Sequence, residues 1–251
     1  MLLCLGVELD MFRLMYERLA SFMIDNLDVG KAYTILEAGC GIGQLTLPFV
    51  RKLEQIKKDF RYVGYDFFAG PYEGDLRDFN RMVREERLQR LIKAIEGKVE
   101  SMGMIDESVD LIISNELFPD LNRTSLAKTL QELYRILKPN GQMAHGELSP
   151  ISENERQTLL IESNAYSLET TQPRPEWFSP CSDEVAALMH KTGFKNIIVK
   201  YFETKVKMNY ERALEQLKKW KIDPVFIERR RDDIKRFGLE LPMEHIIFCK
   251  K

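Results

Sequence analysis

Hydrophobic residues follow two spacings along this chain, and the two spacings alternate. Apolar side chains recur at the interval of amphipathic helices at 8–27, 45–57, 75–91, 125–137 and 183–191. Short apolar runs, typical of buried strands, lie at 33–38, 61–65, 92–99, 109–114, 142–147, 196–203 and 245–249. Strands that alternate with helices predict an α/β fold with a doubly wound, mostly parallel seven-stranded sheet.

Three other stretches interrupt the alternation and predict helical cap elements. They are residues 1–30, which contain the first helix, residues 149–176, and residues 209–238, which carry two helical patterns. We expect them to cover the carboxyl ends of the strands within a single domain that spans 1–251. Before the fifth strand, residues 138–141 (Lys-Pro-Asn-Gly) predict a helix stop followed by a turn.

The first predicted strand runs into a glycine-rich segment. From Glu37 to Gly43 the chain reads Glu-x-Gly-x-Gly-x-Gly, and a helical pattern begins at Leu45. Glycines at alternate positions permit a tight turn and let a ligand approach the main chain closely. The first amide groups of the helix are free to meet an anionic part of that ligand. The spacing differs from the dinucleotide pattern G-x-G-x-x-G, which requires a small residue at Gln44 or Thr46.

Composition and charge narrow the class of protein. The chain has 251 residues, 44% of them hydrophobic, and a net charge of -2, so no overall basic field recruits nucleic acid or anionic membrane. Neither a secretory leader nor a membrane-length apolar window is evident, and the three histidines lack metal-ligand spacing. We therefore expect a cytoplasmic protein without metal or membrane contact. Widely separated cysteines agree with a reducing compartment: Cys4, Cys40, Cys181 and Cys249.

Several segments together resemble the class I S-adenosylmethionine-dependent methyltransferases. The glycine-rich segment resembles the family's motif I, and Asp66 ends the second strand, where an acid can accept hydrogen bonds from ribose hydroxyls. Residues 97–110 resemble the family's stretch G-D-A-x-x-L-P-F-x-D-x-S-F-D, and residues 133–141 resemble its L-x-R-v-L-K-P-G-G run. The likeness covers 33–147 and 177–203. It implies a Rossmann-like methyltransferase fold that binds S-adenosylmethionine beyond strands one and four and releases S-adenosylhomocysteine.

The resemblance also implies roles for individual residues. In the family, the segment after the first strand lies along the methionine part of the cofactor, while the positions of Asp66 and Phe67 contact ribose and adenine. The positions of Asn115 and Glu116 flank the reacting sulfur, and Glu37 is expected to orient the glycine segment or the cofactor's ammonium group. The expected cofactor-binding residues are Glu37, Gly39, Cys40, Gly41, Gly43, Asp66, Phe67, Val99, Glu100, Asn115 and Glu116.

One position departs from the family pattern. Lys98 stands where the family usually has an aspartate that accepts from the adenine amino group. A lysine side chain is a donor only, so it cannot replace that contact. We expect the main chain around Val99 or the Glu100 carboxylate to contact adenine instead.

The sequence offers fewer candidates for catalytic residues than for cofactor-binding residues. Alignment of acceptor, methyl and sulfur can supply on the order of 7–11 kcal/mol of the acceleration, so a base is needed only if the acceptor must lose a proton. Glu116 follows the fourth strand, and His145 lies near the end of the fifth and belongs to the side-chain type that titrates near neutral pH. These two residues are the predicted catalytic candidates.

A small molecule is the expected acceptor, because the cap segments can enclose a ligand and the overall charge is nearly neutral. An RNA or protein acceptor is the alternative, suggested by basic residues at 81–90 and 229–236 that are interleaved with acids. From other classes, a nicotinamide-dependent oxidoreductase or a non-catalytic nucleoside-binding protein would share the sheet and the acid after the second strand.

Overall fold

The computed structural model describes residues 3–57, 59–67, 75–168 and 180–251, with side chains except at 3–10 and 75. The helices are α1 (Leu3–Asp25), α2 (Thr46–Ile56), α3 (Asp75–Glu85), α4 (Arg123–Ile136), α5 (Glu155–Asn164), α6 (Ser182–Thr192), α7 (Tyr210–Lys219), α8 (Pro224–Arg229) and α9 (Arg231–Phe237). The strands are β1 (Thr34–Ala38), β2 (Arg61–Asp66), β3 (Ile92–Glu96), β4 (Val109–Asn115), β5 (Leu137–Leu148), β6 (Lys195–Phe202), β7 (Lys207–Met208), β8 (Leu239–Glu240) and β9 (Glu244–Lys250). Within these ranges, no helix combines the length and apolar character that a bilayer crossing requires.

Seven of the strands form one sheet in the order β3-β2-β1-β4-β5-β9-β6. Strands β1 to β5 pair in parallel, whereas β9 is antiparallel to both β5 and β6. The predicted doubly wound, mostly parallel seven-stranded sheet is therefore confirmed. The strand order reverses between β1 and β4, and such a switch point leaves a crevice at the carboxyl ends of the strands.

Helices cover both faces of the sheet, which explains the near-continuous apolar run of β4. Leu111 and Ile113 belong to the same buried cluster as Phe49 of α2. Ile112 lies on the other face of the sheet, in the same cluster as Leu133 of α4. All five side chains are at most 1% exposed. A strand buried on both faces needs no polar alternation.

One helix is shorter than predicted. The helix expected to reach residue 91 ends at Glu85, because Arg87 adopts a positive φ of 58°. The Leu88 amide then turns back to the Val83 carbonyl at 2.9 Å, which ends the helix. The strand that follows ends at Glu96 rather than at residue 99.

The predicted turn at residues 138–141 is wrong as a separate element. Strand β5 already begins at Leu137 and runs through these residues. Strand β5 has more residues here than β4, which makes the pairing irregular: Val109 of β4 pairs with Leu137, and Leu111 already pairs with Gln142. Asn140, with a φ of 63°, supplies the local bend.

The cap region contains more elements than predicted. Residues 209–238 form three helices rather than two, because Asp223 caps the Val225 amide at 2.9 Å and Pro224 starts a separate α8. Strands β7 and β8 form a two-stranded sheet of their own that was not predicted, since two residues are too short to show alternation. The assignment of 1–251 to one domain with three cap elements stays a prediction, and residues 169–176 of the second cap lie outside the described ranges.

Candidate active site

The glycine-rich segment turns sharply from β1 into α2. Gly39, Gly41 and Gly43 have φ angles of +75°, +48° and +91°, which L side chains adopt at a cost. The Gly39 amide donates to the Tyr65 carbonyl at 2.8 Å, and the Gly43 amide donates to the Cys40 carbonyl at 2.9 Å. These bonds hold the turn against the end of β2.

The three glycines face different surroundings. A Cβ atom on Gly43 would lie 2.3 Å from Met82 Cε, and one on Gly39 would lie 3.0 Å from Leu117 Cδ1. A Cβ atom on Gly41 would meet no described atom within 4 Å. Gly39 and Gly43 therefore permit close packing within the protein, whereas Gly41 presents bare main chain to open space.

Asp66 spans the ends of β1 and β2. Its Oδ2 accepts from the Gly41 amide at 2.6 Å, and its Oδ1 accepts from the Phe67 amide at 2.6 Å. Burial raises the pKa of Asp66, and the two amide hydrogen bonds oppose that shift. Because each carboxylate oxygen has two acceptor sites, Asp66 keeps capacity for two further donors.

Glu37 lies behind the glycine segment. Its side chain is 2% exposed, and its Oε2 accepts from both the Thr46 hydroxyl and the Tyr62 hydroxyl, the latter at 2.6 Å. Burial raises the pKa of Glu37 to about 7 in spite of these two bonds. The carboxyl group thus links β1 to α2 and β2 from inside the core.

The loop after β3 lies beside the end of β2. Lys98 Nζ is 5.4 Å from the centroid of the Phe67 ring. Val99 is buried and Glu100 is half-buried in the same loop. The structure therefore brings the predicted adenine-contacting residues close to Phe67, while residues 68–74 lie outside the described ranges.

A cavity of about 1290 Å³ opens on the other side of the glycine segment. Gly43 and Gln44 border it near β1, and side chains of α1, α5 and α7 border it from the cap. Its aromatic wall includes Tyr16 and Trp220. Acidic and amide side chains after the central strands form its floor: Asn115, Glu116, Asp120, Glu147 and Glu244.

Three of these acids, Glu116, Glu147 and Glu244, form what we call the acidic floor. Glu116 has a φ of 52°, its Oε1 accepts from the Leu148 amide at 2.6 Å, and its carboxyl group contacts that of Glu147. Burial raises the pKa of Glu116 to about 7, and the charge of Asp120 adds to this shift. Burial also raises the pKa values of Glu147 and Glu244 well above the usual range, and the charge of Glu116 adds to both shifts. Such carboxyl groups can exchange a proton near neutral pH.

His145 lies next to Glu147 of the acidic floor, on the side away from the cavity. Its ring is fully buried, stacks on Phe118 at 3.6 Å between centroids, and shares hydrogen bonds with Ser114 Oγ at 2.7 Å and Glu147 Oε2 at 3.0 Å. Burial lowers the pKa of His145 to about 3, and the raised pKa of Glu147 likewise favours a neutral pair over an ion pair. His145 does not border the cavity and reaches it only through Glu147.

Sequence reasoning missed Glu147 and Glu244. Glu147 stands two residues after His145, and strand periodicity places both on one face, so this acid could have been found. Glu244 pairs with Leu148 across β5 and β9. No spacing in the sequence indicates that β9 inserts beside β5. Within the described ranges, no group of three or more His, Cys, Asp or Glu side chains has an arrangement that could hold a metal ion.

Solved structures share this fold over nearly the whole chain. YcgJ of Bacillus subtilis aligns with 92% of this chain and 97% of its own, at a TM-score of 0.68 and 13% identity. A SAM-dependent methyltransferase of Archaeoglobus fulgidus aligns with 96% of this chain and 94% of its own, at a TM-score of 0.59 and 15% identity. The [4+2]-cyclase SpnF aligns with 94% and 80%, at a TM-score of 0.63 and 14% identity. At these identities the likeness shows the fold alone.

A family model described as a methyltransferase domain matches residues 36–145, which include the glycine segment, Asp66 and Glu116. Over this segment, which is 110 of the 251 residues, the chain is similar to methyltransferase domains. It is also similar to O-methyltransferase 3 of Dictyostelium discoideum, with 24% identity over 199 residues. That alignment covers 77% of this chain but only 43% of the relative, so the chain spans less than half of the relative's length.

Proposed function

We propose that the chain is an S-adenosylmethionine-dependent methyltransferase whose small-molecule acceptor is held between the carboxyl edge of the sheet and helices α1, α5 and α7. The observation that carries the proposal is the cavity of about 1290 Å³. It borders Ile42 and Gly43 of the glycine segment on one side and the cap helices on the other, so the methionine end of the donor could reach an acceptor inside it. The residues assigned below to the nucleoside end do not line it: Asp66, Phe67, Val99 and Glu100. Its volume exceeds the roughly 300–1,000 Å³ of an ordinary ligand pocket, so it has room for an acceptor beside the methionine end of the donor.

The residues at the switch point fit S-adenosylmethionine. Gly41 offers bare main chain to open space, and Asp66 offers acceptor capacity next to it. We assign Asp66, Phe67, Val99 and Glu100 to the nucleoside end of the cofactor. Gly39, Cys40, Gly41, Gly43, Asn115 and Glu116 are assigned to its methionine end. When bound, the cofactor supplies an electrophilic methyl group.

Glu37 contributes to this site indirectly in our proposal. Because one of its oxygens already accepts from Thr46 and Tyr62 inside the core, its carboxyl group shapes the glycine segment from behind. A direct contact with the cofactor is not needed for that role.

If the acceptor must lose a proton, we propose that a carboxyl group of the acidic floor takes it. Glu116 borders the cavity and has a pKa of about 7, so it can take a proton from a bound acceptor. His145 keeps its place as a candidate only as a partner of Glu147, which stands between it and the cavity.

The basic clusters give little support to an RNA or protein acceptor. Arg81 pairs with Asp78 at 2.8 Å, and Arg231 pairs with Glu228. Arginines that pair with acids three residues away in the sequence are typical of a solvated surface. The free thiols of Cys40, Cys181 and Cys249 agree with the cytoplasmic location proposed from the sequence.

Two measurements test the proposal. Calorimetric titration should show binding of S-adenosylhomocysteine and none of NADH. Incubation of a cell extract with methyl-labelled S-adenosylmethionine should place label in the fraction that passes a small-pore filter. Label retained with RNA or protein would refute the small-molecule acceptor.

A further inference from the structure

The acidic floor contains carboxyl oxygens without a hydrogen-bond donor in good geometry. Glu244 is fully buried and Glu147 is 6% exposed, yet neither oxygen of Glu244 nor Oε1 of Glu147 has a partner in good hydrogen-bond geometry among the described residues. The neighbouring polar side chains are Asn115 for Glu244 and Glu116 for Glu147. Buried polar atoms are almost always paired, because an unpaired one loses its hydration without compensation. Both residues border the cavity, so the missing donors can come from a ligand.

Asn115 does not remove this deficit. Its Oδ1 lies beside Gly146, close to Glu244, and is itself buried without a partner. Turning the amide over would give Glu244 one donor, since the oxygen and nitrogen ends of an amide exchange freely in such assignments. One oxygen of Glu244 and Oε1 of Glu147 would still lack a donor.

The position of Glu244 separates its main chain from the donor crevice. In the sheet, β9 follows β5, which follows β4 and β1. At about 4.8 Å between neighbouring strands, Glu244 lies on the order of 10 Å from β4 and 15 Å from β1. The crevice between β1 and β4 is where the methyl donor is expected. The main chain of Glu244 lies beyond this crevice, while its carboxyl group reaches Asn115 at the end of β4, so we place Glu244 where the acceptor would meet the donor.

The rest of the cavity suits a cation with an apolar body. Tyr16 and Trp220 supply aromatic walls, and such rings attract ammonium groups. The arginines at the rim face acids of their own: Arg13 with Glu17 at 2.9 Å, Arg51 with Glu86 at 2.8 Å and Arg212 with Glu215 at 3.4 Å. Burial disfavours the charged forms of Glu147 and Glu244, and a bound cation would stabilise them. Lys52 and Lys219 also line the cavity.

We infer that the acceptor is an amine that binds as an ammonium ion, with its N–H groups directed at Glu147 and Glu244. This inference rests on the proposed function. An ammonium group supplies several donors where the protein lacks them, whereas a carboxylate would be repelled and an alcohol would supply one donor. Before its lone pair can accept a methyl group, the amine must lose one proton, and a carboxylate of the acidic floor can take it.

The test compares three ligands that share a phenylalkyl body but differ in charge: 2-phenylethylamine, 2-phenylethanol and 3-phenylpropionate. Each is titrated calorimetrically into the full chain saturated with S-adenosylhomocysteine. We expect the amine to bind about 10- to 100-fold more tightly than the alcohol, and the carboxylate to bind more weakly than both. Glu147→Gln and Glu244→Gln should each remove most of the amine's advantage, while Glu215→Gln at the rim should keep it.

The outcomes separate this inference from the proposed function. Failure of the wild type to bind S-adenosylhomocysteine refutes the proposed function. Normal cofactor binding with no preference for the amine, or with no binding of any of the three, overturns the inference alone. Loss of S-adenosylhomocysteine affinity in Glu244→Gln, with the amine unaffected, would assign the acidic floor to the cofactor's own amino group. If a glutamine variant fails to fold, the rank order of the three ligands on the wild type still decides.

Discussion

Replacing Glu37 by glutamine should change how stability depends on pH. In the folded protein the carboxyl group is buried and its pKa rises from 4.5 to about 7. Between these two values the folded state holds a proton that the unfolded state has released, so stability falls as pH rises. Below pH 4.5 both states hold the proton, and above pH 7 neither does. The effect is therefore confined to the interval between them.

The magnitude follows from the shift. Each pKa unit corresponds to 1.36 kcal/mol, so ionisation of Glu37 lowers the free energy of unfolding by about 3 kcal/mol in total. About 2.5 kcal/mol of this falls between pH 5 and pH 8. Glu37→Gln removes the charge but keeps an oxygen that Thr46 and Tyr62 can donate to. The substitution should therefore flatten the pH profile by that amount.

Urea unfolding followed by circular dichroism at pH 5, 6, 7 and 8 measures the effect. Subtracting the profile of Glu37→Gln from that of the wild type cancels the contribution of the acidic floor, whose carboxyl groups shift in the same direction. Glu85→Gln, on an exposed part of α3, is the matched control and should reproduce the wild-type profile. Parallel profiles for the wild type and Glu37→Gln would show that Glu37 is not held in the environment described.

Four further predictions concern the glycine segment, Asp66 and the acidic floor. Gly43→Ala should lower the free energy of unfolding by about 1–3 kcal/mol, because its Cβ would lie 2.3 Å from Met82 Cε. Gly41→Ala should instead weaken S-adenosylhomocysteine binding by roughly tenfold in calorimetry. The reverse pattern would contradict the packed surroundings of Gly43 and the open space beside Gly41. Asp66→Asn should weaken the same binding by about 10- to 100-fold, and an unchanged affinity would exclude the ribose contact. Glu244→Gln should raise the free energy of unfolding at pH 8 by about 1–3 kcal/mol without ligand, and a decrease would show that its charge is compensated.

The fold could be predicted from the sequence because each helix and strand of the sheet region has its own local pattern of apolar residues. The apolar run of β4 reflects burial on both faces, and the helix that begins after Gly43 follows from the glycine spacing. Errors arose where tertiary structure decides the outcome. The turn at residues 138–141 was absorbed into β5 by pairing with β4, and α3 ended early at the bend of Arg87.

Only the part of the candidate site that is assigned to the methyl donor could be predicted from the sequence. Residues from Glu37 to Asp66 lie on strands adjacent in both sequence and sheet, so one motif describes their surroundings. The acceptor half depends on Glu244, which reaches the cavity because β9 inserts between β5 and β6. That insertion pairs distant parts of the chain, and no short-range spacing encodes it.

The antiparallel strand β9 also affects the order in which parts of the sheet form during folding. The pairs of β1 with β2 and of β1 with β4 close loops of about 22 and 70 residues, whereas the pair of β5 with β9 closes one of about 95, and longer loops close more slowly. Nucleoside recognition would thus mature first during folding, with the acceptor wall completed last. Hydrogen exchange during refolding should then protect the amides of β1 before those of β9.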